Sequence, residues 1–151
     1  MKKIQLICDG SAIGNPGPGA WASILRYGET ERELVGSEPR PTNNRCELRA
    51  AIEGLRALRE PCDIIAMTDS QYVKQGITEH IARWKQNGWR TAGHKPVLNQ
   101  DLWQELDSLA SLHTIRWVWV AGHSDHAVQN RCDAIARAAA RAEAAKLGPG
   151  V

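Results

Sequence analysis

The chain has 151 residues, a length that suits one domain and can bury a core without covalent cross-links. Its net charge of +2 is too small to decide a partner, so local charge has to. No apolar run can span a bilayer, and the start MKKIQLICDG lacks a signal-peptide cleavage site, which leaves a soluble, intracellular, cytoplasmic protein with no membrane association as the expectation.

Residues 3–9 (KIQLICD) read as a strand that ends on Asp9 and runs into a Gly/Pro segment, Gly10 to Gly19. Residues 20–28 and 31–37 read as two further strands across a tight Gly28-Glu29-Thr30 turn, an antiparallel meander. PTNN supplies an N-cap, either Thr42 or Asn43, for a helix over 43–59. Its apolar Leu48, Ala51, Ile52, Leu55 and Leu58 fall at helical spacing, and Pro61 stops it. Residues 63–68 form a short apolar strand ending at Asp69. A helix follows from Ser70 or Gln71 and is broken by Gly76. Residues 81–98 fit either a loop throughout or a short helix at 81–87 that gives way to a loop, and no helix is counted there in the order of elements. Residues 100–111 are helical, 114–120 (TIRWVWV) a strand, AGHSDH a loop, and 126–145 an Ala-rich helix with an inner stripe of Cys132, Ile135, Ala136 and Ala139. Residues 1–145 thus make one domain, and 146–151 a disordered tail. The order βββαβααβα gives an α/β fold: a mixed five-stranded sheet, three strands antiparallel and the later ones parallel, with helices on both faces.

Four cysteines, Cys8, Cys46, Cys62 and Cys132, include no C-x-x-C pair and read as reduced core residues. Cys8, Cys46 and Cys132 immediately precede Asp9, Glu47 and Asp133, so the thiols pack behind the carboxylates rather than join them. Asp9 and Asp69 sit at strand ends, where open α/β sheets bind ligands. Glu47 and Asp133 each lie one residue from the buried stripe of a helix, so both can edge the same pocket. Taken singly, each acid is equally a turn, cap or first-turn residue. Four acids without nearby bases repel one another, and a hard divalent ion such as Mg²⁺ or Mn²⁺ relieves that.

The motifs DGSAIGNPGPGAWA, TNNRCELRAAIEGLRAL, TDSQYVKQGI, WKQNGWRT…KPVLNQDLWQEL, WVWVAGHS and NRCDAIARAAA, in this order over residues 3–141, make the chain similar to the bacterial single-domain form of ribonuclease H type 1. The resemblance implies the ribonuclease H fold and hydrolysis of the RNA strand of RNA–DNA hybrids, by two-metal-ion cleavage with Mg²⁺ (Mn²⁺ also accepted) that leaves 5′-phosphate and 3′-hydroxyl ends. It implies metal ligation by Asp9, Glu47, Asp69 and Asp133, with His123 assisting proton transfer or product release. It also implies that the Gly/Pro segment lets backbone approach the RNA strand, and that a monomer does the work.

Short polar side chains suit the reading of 2′-hydroxyls across a shallow groove, and the resemblance gives that role to Asn15, Asn43, Asn44 and Gln71. It places Thr42, with Asn15, at a DNA phosphate. Residues 81–98 carry Arg83, Lys85, Arg90, Lys95 and His94 with no acid, interleaved with Trp84 and Trp89. This is a basic arm for the DNA strand or a solvated charged face, and Trp84 fits either a substrate contact or packing. Trp103, Trp117 and Trp119 read as core. One stretch departs from the bacterial pattern: where the family has close to P-E-N-E-R-C-D, this chain has AVQNRCD, preceded by Asp125 and His126. The departure touches the surroundings of the metal ligands and the loop, not the four acids. The rival readings are another metal nuclease of this fold, such as a transposase or resolvase, and a non-catalytic hybrid-binding module. The short chain with its hybrid-specific motifs opposes the first, and the intact acids oppose the second.

Overall fold

The computed structural model describes residues 1–122 and 125–147. Strands β1 (Lys2–Ala12), β2 (Gly19–Tyr27), β3 (Thr30–Glu38), β4 (Cys62–Thr68) and β5 (Thr114–Trp119) form one sheet in the order β3-β2-β1-β4-β5. β1–β2 and β2–β3 are antiparallel, β1–β4 and β4–β5 parallel, as the order of elements led us to expect. The hairpin turn is tighter than expected: Tyr27 pairs with Thr30, and Gly28 takes a left-handed φ of 58°.

β1 does not end at Asp9. Its parallel ladder with β4 stops at Cys8–Thr68, while its antiparallel ladder with β2 continues to Ala12–Gly19. Asp9 therefore stands at the fork where β1 and β4 part, still held on one side by β2.

Helix α1 (Asn43–Arg56) covers one face of the sheet with Leu48, Ala51, Ile52 and Leu55 buried against Leu6, Cys8 and Ile64. It ends three residues before the expected limit, with Ala57 as C-cap. The long helix α5 (Ala127–Lys146) covers the other face, packing Cys132 and Ala136 on Ile7, Ala22, Ile24 and Met67. α5 passes the expected domain limit by one residue; from residue 148 onward the expected tail lies outside the described residues. All four cysteines are buried and unbridged. Among the described residues no helix is long and apolar enough to cross a membrane.

Gly76 does not break the chain's helical course. α2 (Gln71–Gln75) passes through a π-helical turn (Gly76–His80) into α3 (Ile81–Gln86). The glycine is there for proximity: a Cβ on it would lie 2.0 Å from Cη2 of Trp103, a fully buried residue of α4 (Gln100–Ala110). Around Trp103 the rings of Tyr72 and Trp84 sit with centroids at 5.3 Å, and the Tyr72 hydroxyl accepts from Trp103 Nε1 at 3.1 Å. α4 is clamped to α1 by a two-pronged Arg45–Asp101 pair at 2.8 and 3.0 Å. Gly76→Ala should therefore destabilise the protein. Overpacking costs about 1–3 kcal/mol, more than the roughly 0.5–1 kcal/mol that alanine gains over glycine in a helix. Urea titration of the two proteins gives the sign directly.

Candidate metal centre and nucleic-acid interface

Apolar strands and a close helix crossing bring the acids together. β1 delivers Asp9 to the fork, and Asp69 follows the last residue of β4. Glu47 comes from the second turn of α1, which starts on the Thr42 N-cap, whose Oγ1 accepts from Arg45 N–H at 3.2 Å. Gly10 allows α1 to lie this close, since a Cβ there would meet the Glu47 backbone nitrogen at 2.4 Å. Asp133 comes from the second turn of α5, whose N-cap is His126: its Nδ1 accepts from Gln129 N–H at 3.2 Å.

Asp9, Asp69 and Asp133 each offer a carboxylate oxygen, and the three lie within 4.8 Å of one another. Glu47 is not one of this trio; its Oε1 accepts from Gly10 N–H, which also points at Asp9 Oδ1. All four acids line one open cleft of about 470 Å³, together with Ser11, Asn43, Asn44, Gly122 and Arg137. The structure thus gathers the four expected acids, three as a tight set and Glu47 at its side.

Asp9 is only 2 % exposed, and its Oδ2 has no hydrogen-bond partner. Burial first, then the charge of Glu47, pushes its carboxyl far above the usual range. Burial also raises Glu47, to about 8, with Asp69 adding to the shift and hydrogen bonds from Asp9 and Gly10 opposing it. A buried carboxylate oxygen without a donor, beside other converging acids, is what a hard cation satisfies. The residues present therefore fit a divalent ion held by oxygen ligands.

Three neighbours of the acids escaped the sequence reading. Arg137 pairs with Asp133 at 3.0 Å, one helical turn on, so the acids do have a base beside them; the i,i+4 spacing was the available signal. Trp119 is 41 % exposed rather than core, because it ends the edge strand β5, and its Nε1 donates to the Asp69 carbonyl at 3.0 Å. Gln129 is 1 % exposed and takes the inner-face place expected for alanine or leucine, and Ala140 rather than Ala139 completes the stripe.

Of the expected substrate residues, Asn43 and Asn44 line the cleft. Asn43 Oδ1 accepts from Ala12 N–H at 2.7 Å, and Asn15 Oδ1 accepts from Asn43 N–H at 3.0 Å, so these two amides also knit the loop to α1. Asn15, Asn43 and Gln71 are exposed, Thr42 and Asn44 half-buried. Glycines of the Gly/Pro segment serve internal packing as well: a Cβ on Gly17 would lie 1.7 Å from the Ile13 carbonyl oxygen. In the basic segment Arg83, Lys85 and Arg90 are exposed, while Trp84 and Trp89 are half-buried against the core. Lys85 meets an acid after all, Asp107 of α4 at 3.1 Å. Arg90 Nη1 donates to the His94 carbonyl at 3.1 Å. His123 lies outside the described residues.

A mixed five-stranded sheet whose central parallel strands deliver acids to one cleft, with a helix adding a further acid from each face, defines a nuclease of the ribonuclease H-like class. The chain belongs to the RNase H family, whose model matches residues 1–141. It is 57% identical to Ribonuclease H of Solibacter usitatus over 141 residues, 93% of this chain and 97% of that one. It is 59% identical to Ribonuclease H of Halorhodospira halophila over 133 residues, 88% and 89% of the two chains. Among solved structures it is similar to a type 1 RNase H with the type 2 active-site motif. There the TM-score is 0.85 at 31% identity, over 94% of this chain and 74% of that one.

The raised acids carry a pH signature. A carboxyl with a folded pKa above its unfolded value, about 4, binds more protons folded than unfolded. Its contribution to stability is therefore lost as pH rises through that window. Without divalent ions, stability should fall between about pH 4 and the value near 8 reached by Glu47. Asp9→Asn should flatten that fall and raise the melting temperature at neutral pH by about 3–6 °C, equivalent to ~1–2 kcal/mol. Thermal melts of both proteins in chelator across this range provide the check.

Proposed function

We propose that this ribonuclease H cuts the RNA strand of RNA–DNA hybrids with two Mg²⁺ ions held by Asp9, Glu47, Asp69 and Asp133, leaving 5′-phosphate and 3′-hydroxyl ends. The observation that carries the reading is the trio of carboxylate oxygens within 4.8 Å, one of its members buried with an unpartnered oxygen. Divalent ions, when bound, activate a water and steady the leaving oxygen of a phosphodiester. The oxygen-only donor set selects hard ions, Mg²⁺ first and Mn²⁺ also.

The protein's own groups do the positioning. Asp9 and Asp69 each directly follow the last rung of the β1–β4 ladder, Cys8–Thr68, which sets their spacing. Trp119 holds the Asp69 carbonyl. Asn43 and Asn44 in the cleft, with the exposed Asn15 and Gln71, offer amide groups for 2′-hydroxyls, the feature that separates RNA from DNA. Thr42 and Asn15, at the start of α1, suit a phosphate of the DNA strand. Arg83, Lys85 and Arg90 present positive charge on the segment after α2, suited to the same strand, with the half-buried Trp84 and Trp89 rings shaping that surface. His123 assists proton transfer or product release, a role that rests on the motif WVWVAGHS. One chain lines the cleft with all four acids, which supports action as a monomer. Four buried thiols without a bridge fit a reducing compartment such as the cytoplasm.

Asp69→Asn should abolish cleavage of a labelled hybrid while gel-shift binding survives; near-normal turnover at saturating Mg²⁺ would sink the ligand assignment. His123→Ala should slow turnover by about 10²–10⁴-fold without eliminating it, as expected of a proton-transfer group. Replacing Arg83, Lys85 and Arg90 together with Ala should raise KM and flatten its salt dependence, and the strand that is cut should stay the same. A run of four ribonucleotides within duplex DNA should be cut and a lone one hardly at all, since each lost 2′-hydroxyl contact costs roughly 1–3 kcal/mol. Product mapping on end-labelled duplexes reads both results.

A further inference from the structure

We infer that Gln129 is a positioning residue that locks the peptide unit bearing Asp9 to the helix bearing Asp133. On the inner face of α5 the buried residues are Gln129, Cys132, Ala136 and Ala140, and Gln129 is the polar one. A buried amide is costly unless bonded, and packing alone would be served by leucine or methionine at this position. What the amide supplies is a bond across elements: Nε2 donates to the Cys8 carbonyl at 3.2 Å. Cys8 is the last residue of β1 that pairs with β4. Its carbonyl belongs to the same planar peptide unit as the Asp9 nitrogen. The bond therefore ties α5 to β1 at the fork where Asp9 stands, from a residue one helical turn before Asp133. Oε1 is buried without a partner, so the side chain is retained for its donor end despite a cost at the other. Cys132 and Cys8 give the neighbouring contacts only weak thiol bonds, 3.3 Å to the Ala22 carbonyl and 3.6 Å to the Met67 carbonyl. The amide is the directional link.

The inference rests on the metal reading proposed above, because spacing Asp9 from Asp133 matters only if both hold one centre. Gln129→Met keeps volume and shape and removes the donor. Its folded structure should survive, with a melting temperature near that of the parent, since the lost bond is offset by removal of the orphaned oxygen. Mg²⁺ titrated calorimetrically into the nucleic-acid-free protein should bind about tenfold more weakly, and kcat should fall by about 10–100-fold, the range for residues that orient metal ligands. KM for the hybrid should not change. A folded Gln129→Met with parental Mg²⁺ affinity would overturn the inference. Should the Met variant fail to fold, Gln129→Asn, which keeps an amide one methylene too short to reach Cys8, is read by the same two outcomes. Asp133→Asn is titrated in parallel. Unchanged Mg²⁺ affinity there would sink the metal reading and this inference with it, whereas unchanged affinity at Gln129 alone would sink only the latter.

Discussion

The functional end of this protein is organised by one electrostatic constraint: carboxylates from separate elements converge on one cleft around a buried Asp9. Asp9 is almost fully buried, its Oδ2 has no donor, and Glu47 and Asp69 raise its cost of ionisation further. Like charges in such a place stabilise nothing. They persist because the surrounding sheet and helices are stable enough to hold them, and because a divalent ion turns the same repulsion into affinity. Arg137, paired with Asp133, eases part of the repulsion from the exposed side while leaving the buried oxygen of Asp9 in need of a cation.

The constraint requires close packing behind the acids. β1 and β4 must diverge after Cys8 and Thr68 to open a cleft, and both helices must still press against the strands near that fork. Small residues make this possible. Gly10 lets α1 bring Glu47 to Asp9, Gly19 leaves room for the Cys46 thiol, and Cys132 packs with Ile7, Ala22 and Met67 on the other face. On the far side of α1 the same economy recurs: Gly76 admits Trp103, and the Tyr72–Trp103–Trp84 cluster fixes the helical segment that runs from the cleft into the basic region. The aromatic cluster thus packs the helical run that leads from Asp69 into the basic segment.

The sequence by itself determined the succession of strands, the mixed sheet, the buried thiols and the four candidate acids, because these depend on local periodicity and on motifs whose order along the chain is visible. The expected order of elements came out one helix short between β4 and β5, where α2, α3 and α4 all stand. It placed Asp9 at a strand end, which is half true: one ladder ends there and the other continues. Which ladder continues is set by pairing with a partner strand, and no local pattern records that. Gly76 reads as a breaker in any isolated helix; only the Trp103 ring lying 2.0 Å from its absent Cβ explains why glycine stands inside a continuous helical segment.

Tertiary structure decided the rest for the same reason, that it brings together residues distant along the chain. Trp119 looks like core in the run TIRWVWV, yet β5 is an edge strand, so its ring stays exposed and serves the Asp69 carbonyl. Lys85 sits in an acid-free stretch and finds Asp107 on a neighbouring helix. Gln129 looks like a surface residue of an amphipathic helix by composition, and becomes a buried bridge because α5 lies over the end of β1. Side-chain type and spacing determine which chemistry is available; which groups meet is decided by how strands pair and helices pack, through contacts whose partners lie tens of residues away.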